Sequence, residues 1–123
     1  NKLMENFSEE FKKRTKRFAL WIIKFYQTLP KTGEARIIGN QMLRAGTSVA
    51  ANYRAACRAR SDKEFYSKIC TVIEEADETQ FWLEMIKEAG IVSNSDLDAL
   101  LKEAEEILKI MVSTRQKLKQ KNK

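Results

Sequence analysis

The side chains in this sequence that could do covalent or metal chemistry are two cysteines, a knot of carboxylates and scattered hydroxyls; none of the 123 residues is histidine. That absence removes the usual general base and the commonest transition-metal ligand together. Glu74, Glu75, Asp77 and Glu78 stand close in sequence, as carboxylates that bridge paired metals do. The di-metal pattern of helical bundles, however, needs a Glu-x-x-His pair on each of two helices. At helical spacing Glu74, Asp77 and Glu78 lie away from Ile69, Val72 and Ala76, so a solvated or ion-paired acidic face is expected there rather than a metal. Cys57 and Cys70 occur singly, with no CxxC, and read as reduced, small core residues. Neither has a histidine to activate it, and the serines and threonines fall at caps or within helix bodies. Gly33 and Gly39 fit neither the P-loop nor the dinucleotide pattern. The residues therefore predict no catalytic centre, no metal and no cofactor.

Cations are the richer signal. The net charge is +6, and it is unevenly spread. Residues 1–31 carry eight Lys/Arg against three Asp/Glu, and residues 32–60 carry five against one. Residues 61–90 reverse this with three against eight, and residues 91–123 carry seven against five. Such asymmetry draws polyanions to one region and repels them from another. Lys12, Lys13, Lys16 and Arg17 cluster on the first helical segment. Arg36, Arg44, Arg54 and Arg58 share about 80° of arc on the second at 100° per residue, opposite Ile38, Met42 and Val49. Arginine's planar fork suits phosphate and carboxylate alike. Two uses stay open: pairing with the acidic third segment, in the same or a neighbouring subunit, or direct contact with a polyanion.

The elements that must position these groups are helices. One proline and four glycines leave little to break them. The pattern predicts an all-α, antiparallel, up-down-up-down four-helix bundle in a single domain, with helices over about 8–29, 33–60, 62–89 and 96–118. Ser8 is the expected cap of the first, Pro30 its terminator. Ser61 and Glu64 form a capping box for the third, and Gly90 closes it. Ser95 is the expected cap of the fourth. The core stripes are expected to be Phe11, Phe18, Ile22, Phe25 and Leu29; Ile38, Met42, Ala45, Val49, Tyr53 and Ala56; Phe65, Ile69, Val72, Ile73, Ala76 and Leu83; and Leu97, Leu101, Ala104, Leu108 and Met111. Gly39, Gly46, Ala50 and Cys57 make a narrow small-residue stripe that would let another backbone approach. The basic tail from Lys117 to Lys123 is expected to fray. No run approaches the ~20 apolar residues of a membrane span, and no secretory signal is evident, so a cytoplasmic location is expected.

Leu20, Ile23, Trp82 and Ile86 fall off these stripes. Several such residues together point to a second buried surface, most economically an interface between subunits.

The run Gln41-Met-Leu-Arg-Ala-Gly-Thr-Ser-Val-Ala-Ala-Asn-Tyr-Arg-Ala-Ala, then Arg58-Ala-Arg-Ser-Asp-Lys-Glu-Phe, then Glu74-Glu-Ala-Asp-Glu-Thr-Gln-Phe-Trp-Leu-Glu, resembles the bacterial four-helix-bundle proteins encoded in intervening sequences of 23S ribosomal RNA. The resemblance covers roughly residues 8–115. It implies a protein without catalysis. Related accessory proteins of diversity-generating retroelements look like positively charged homopentamers that associate with nucleic acid and a reverse transcriptase, so the resemblance also implies a homopentamer. By the same likeness Arg44, Ser48, Asn52 and Arg54 match the second-helix motif, and Glu75, Glu78 and Thr79 the third-helix motif, where they are expected to tie helices or subunits together. Two functions compete. One is a basic homo-oligomer that holds RNA or DNA by its phosphates through Lys12, Lys13, Lys16, Arg17, Arg36, Arg54 and Arg58. The other is a structural or protein-recruiting module in which charge serves assembly alone.

Overall fold

The computed structural model describes residues 2–121, and four helices account for most of them. They are α1 (Lys2–Gln27), α2 (Gly33–Cys57), α3 (Asp62–Glu88) and α4 (Ser95–Lys121). No strand occurs among the described residues, and no described helix is long and apolar enough to cross a membrane. Each helix touches its neighbours in chain order, and α4 returns to α1. Among the described residues the backbones of α1 and α3, and those of α2 and α4, do not approach each other closely, so these pairs are diagonals of an antiparallel ring of four.

The buried positions explain the arrangement. They are Phe11, Thr15, Phe18, Ile22, Phe25 and Leu29 in and just after α1; Ala35, Gly39, Met42, Gly46, Val49, Tyr53 and Ala56 in α2; Ile69, Val72, Ala76, Thr79, Leu83 and Ile86 in α3; and Leu97, Leu100, Ala104, Ile107 and Met111 in α4. Ala19, Ala45 and Ile73 are buried beside these series, and each series itself alternates steps of three and four, the seam of a left-handed, coiled-coil-like bundle.

That heptad corrects two expectations. Ile86 is fully buried in its own subunit and cannot be an interface residue; a 3.5-residue repeat drifts about 20° per heptad against a straight helix, which made Ile86 look misplaced. In α4, Leu100 and Ile107 are the fully buried residues, while Leu101 and Leu108 are half-buried beside them. Apolar residues occupy both phases, and packing against two neighbours selects one.

The ends also differ from expectation. Ser8 lies inside α1, because Phe7 stacks on Phe11 with ring centroids 5.6 Å apart and carries the helix back to Lys2. Asn94, not Ser95, caps α4: its Oδ1 accepts from the Leu97 amide at 2.9 Å. Ser61 caps α3 through the Glu64 amide at 3.0 Å, while the Glu64 carboxylate reaches back to the amide of Arg60, not Ser61. Gly90, at φ 72°, sits in the left-handed region. It completes a Schellman turn in which the Ile91 and Gly90 amides donate to the Ile86 and Lys87 carbonyls. Helix α4 runs on to Lys121 because Leu118 packs on the core, so residues 117–121 do not leave the helix; the last two positions of the expected frayed tail lie outside the described residues.

Candidate nucleic-acid interface

Close packing of α1 on α2 sets the geometry of the cationic face. A Cβ on Gly46 would stand 2.9 Å from two carbons of Ile22, and one on Gly39 would stand 2.8 Å from Leu29. The small-residue stripe thus admits α1 of the same chain. Further along the same seam Ala50 and Ala51 continue the short side chains, and a groove of about 400 Å³ opens between the helices.

Lys12, Lys13 and Lys16 stand on the α1 wall of this groove, and Arg54 and Arg58 on the α2 wall. Glu9 stands among them. Lys12 is held by Glu9 at 2.9 Å and Lys13 by Glu10 at 3.7 Å. Among the described residues Lys16, Arg54 and Arg58 make no ion pair and no side-chain hydrogen bond, so their charges have no internal partner. Two predicted cations lie elsewhere. Arg17 lines a depression toward α4, beside Phe7, Arg14 and Ile110. Arg36 lies at the far end of α2 near Lys31 and Asn40. The groove has no aromatic lining, so it offers no base-stacking platform.

The arginine stripe of α2 is split. Arg44 turns to α3, its guanidinium 3.3 Å from Glu78 and 3.7 Å from Glu75. Ser48 lies beside the Glu75 carboxyl, and the Asn52 amide donates to the Ser48 carbonyl at 2.9 Å. Thr79 is buried, its hydroxyl donating to the Glu75 carbonyl at 2.7 Å. The motif residues of α2 and α3 therefore meet within one chain. Burial raises the pKa of Glu75, and its Ser48 and Arg44 partners oppose the rise. Its Oε2 accepts no hydrogen bond, so the Arg44 contact there is an ion pair at a distance.

Nothing nearby prepares a nucleophile. Cys57 is half-buried in a second cleft of about 730 Å³, lined in part by Met4, Ser8, Arg60 and Phe65. Burial pushes its thiol up, with neighbouring Tyr53 opposing the rise, leaving little thiolate at neutral pH. Tyr53 is itself pushed up to about 12, chiefly by burial. Among the described residues no group of three or more His, Cys, Asp or Glu side chains is gathered for a metal.

Of the apolar residues set aside as interface candidates, Leu20 is 51% exposed, and Ile23 and Trp82 are half-buried. Trp82 packs on the core, and its indole Nε1 is buried without an acceptor among the described residues. Sequence reasoning passed over Phe81, which is 49% exposed and meets Trp82 edge-to-face at 4.9 Å. Its neighbourhood to Trp82 was the available signal.

A family model described as 23S rRNA-intervening sequence protein matches residues 8–113. Among solved structures, the chain is similar to a protein of unknown function from the S23 ribosomal protein family of Bacteroides thetaiotaomicron VPI-5482. The two are 28% identical with a TM-score of 0.81, over 89% of this chain and 97% of that one. No curated protein matches the sequence.

Proposed function

The chain belongs to the 23S rRNA-intervening sequence protein family, and from that premise we propose that it is a non-catalytic, self-associating protein that holds nucleic acid by its phosphates along the α1–α2 groove. The observation that carries this reading is the convergence of five cations on one groove, three of them without an internal partner. Cations left unpaired on both walls favour a polyanion running between them. With no aromatic surface and no helix presenting base-reading side chains, the contacts are to the backbone and sequence preference is small.

Self-association rests on a second observation. The outer faces of α1 and α3 are diagonal to each other and opposite in charge. The outer face of α1 carries Leu20 beside Lys24, and that of α3 carries Phe81 beside Asp77 and Glu84, all exposed. A face of α1 on one copy complements a face of α3 on the next, a head-to-tail contact that closes into a ring if the rotation permits. A pentamer is the ring size suggested by resemblance. Leu20 stands one turn beyond Lys16 on the same face of α1, so such a contact borders the groove at that end, and a ring would add weak grooves through avidity.

A structural or protein-recruiting module without nucleic acid is the competing reading. It is favoured by Arg44, whose charge is met inside the chain by Glu75 and Glu78. Gel retention of labelled RNA and DNA hairpins at low salt separates the two. Retention of both, with little dependence on sequence, supports the nucleic-acid reading; no retention of either leaves the structural module.

A further inference from the structure

Glu9 is the one carboxylate among the side chains that line the cationic groove. A groove built only to collect phosphates gains nothing from it, because a carboxylate repels the phosphate path and neutralises Lys12 at 2.9 Å. The remaining lining side chains are three lysines, two arginines and two alanines. Lysine and arginine only donate hydrogen bonds, and the alanines offer no polar side-chain atom. Among the described residues Glu9 is therefore the sole side-chain acceptor lining the groove. The backbone of DNA contains no hydrogen-bond donor for it to accept from. That of RNA contains one per nucleotide, the ribose 2′-hydroxyl, which lies beside the phosphates and is the group by which proteins tell RNA from DNA.

The dimensions suit that pairing. From Glu9 to Lys16 helix α1 rises about 10 Å at 1.5 Å per residue. That length is enough to face more than one phosphate of a strand. Lys12 and Lys16 stand one helical turn apart, as do Arg54 and Arg58, so cations flank a strand from both sides. Glu9 stands at one end of the lysine row, exposed enough to swing between Lys12 and an incoming sugar.

Resting on the proposed nucleic-acid reading, we infer that Glu9 is a sugar-reading residue that makes the groove selective for RNA, its carboxylate accepting from a ribose 2′-hydroxyl while the flanking cations hold the phosphates. Lys12, 2.9 Å away, steers the carboxylate. Against a strand that lacks the hydroxyl, the same carboxylate is left facing phosphate and weakens binding.

The test uses the full chain and two labelled hairpins of one sequence, one of RNA and one of 2′-fluoro RNA, which keeps the A-form helix but has no hydroxyl to donate. Affinities are measured by anisotropy at fixed low salt for wild type, Glu9→Ala and Glu9→Gln, with helical content checked by circular dichroism. Wild type is expected to prefer RNA by about fivefold, the scale of one net hydrogen bond. Glu9→Ala is expected to bring the ratio to about one, partly by tightening binding of the fluoro hairpin. Glu9→Gln, whose amide oxygen still accepts, is expected to retain part of the preference. Equal binding of the two hairpins by wild type, or a preference that persists in Glu9→Ala, overturns the assignment while leaving phosphate binding intact. Failure of wild type to bind either hairpin overturns the nucleic-acid reading itself, and the assignment with it.

Discussion

Gly46 lies so close to Ile22 that a β-carbon there would stand 2.9 Å from both Cγ1 and Cγ2 and 3.3 Å from Cβ of the isoleucine. Ile22 is fully buried and β-branched, so it has no free rotamer into which to retreat. Gly39 differs: its nearest neighbour is the terminal Cδ1 of Leu29, at 2.8 Å, beyond the end of α1.

Gly46→Ala should therefore destabilise the fold by about 1–2 kcal/mol, overpacking outweighing the roughly 1 kcal/mol that alanine contributes to a helix. Gly39→Ala should cost less than Gly46→Ala, because the end of Leu29 can swing aside, although the Tyr26 ring, whose nearest carbons would stand 3.3 and 3.4 Å away, must give slightly. Urea denaturation of the two variants beside wild type checks the contrast, and equal losses would show that the α1–α2 approach is uniformly tight.

The seam between α1 and α4 is the least extensive of the four, and polar contacts hold much of it. Arg14 grips Glu103 with two bonds, of 2.7 and 2.8 Å, and Trp21 donates to Asp96 at 2.9 Å. Hydrogen bonding to Glu103 raises the Arg14 pKa, so the guanidinium keeps its charge. A double-mutant cycle with Arg14→Ala and Glu103→Ala should give a coupling of about 1 kcal/mol, high for a partly exposed pair because the guanidinium fork meets both oxygens. Hydrogen exchange should find α4 less protected in Arg14→Ala than α3.

Glu75 gives a pH signature. Burial holds its folded-state pKa above the ordinary value of 4.5, so the folded chain keeps this proton to higher pH than the unfolded chain does. Its contribution favours the fold below that ordinary value and is lost as pH rises through the raised one. Glu75→Gln keeps a group that can bond Ser48 but cannot titrate, and should flatten that part of the stability profile. Urea midpoints compared from acid to neutral pH check this; an unchanged slope would assign the pH dependence to other carboxylates.

Helix count, connections and the closing turn at Gly90 were legible because each rests on local spacing or on a single residue's conformational demand. The phase of α4 was not, since Leu100, Leu101, Ile107 and Leu108 satisfy two stripes equally until α1 and α3 choose between them. Ile86 was misjudged because a straight-helix count ignores supercoiling. The cations were all legible as types. Their grouping was not, because it depends on the register of α1 against α2, which Ile22, Gly46 and Tyr53 fix in three dimensions. That register brings Lys12, Lys13, Lys16, Arg54 and Arg58 together, sends Arg17 toward α4 and leaves Arg36 at the far end.

The salt dependence of binding to a duplex, measured for wild type and two charge-reversed variants, tests the groove most directly. Each phosphate neutralised contributes about −0.9 to the slope of log affinity against log salt for duplex DNA. Wild type should bind with a steep slope. Lys16→Glu combined with Arg54→Glu and Arg58→Glu should lose affinity for every sequence alike and flatten the slope by about two to three. Arg17→Glu combined with Arg36→Glu lowers the net charge by four, against six in the triple variant, yet should change both by far less than that ratio implies. Equal losses in the two variants, or a wild-type affinity that does not depend on salt, would contradict a binding surface centred on the α1–α2 groove.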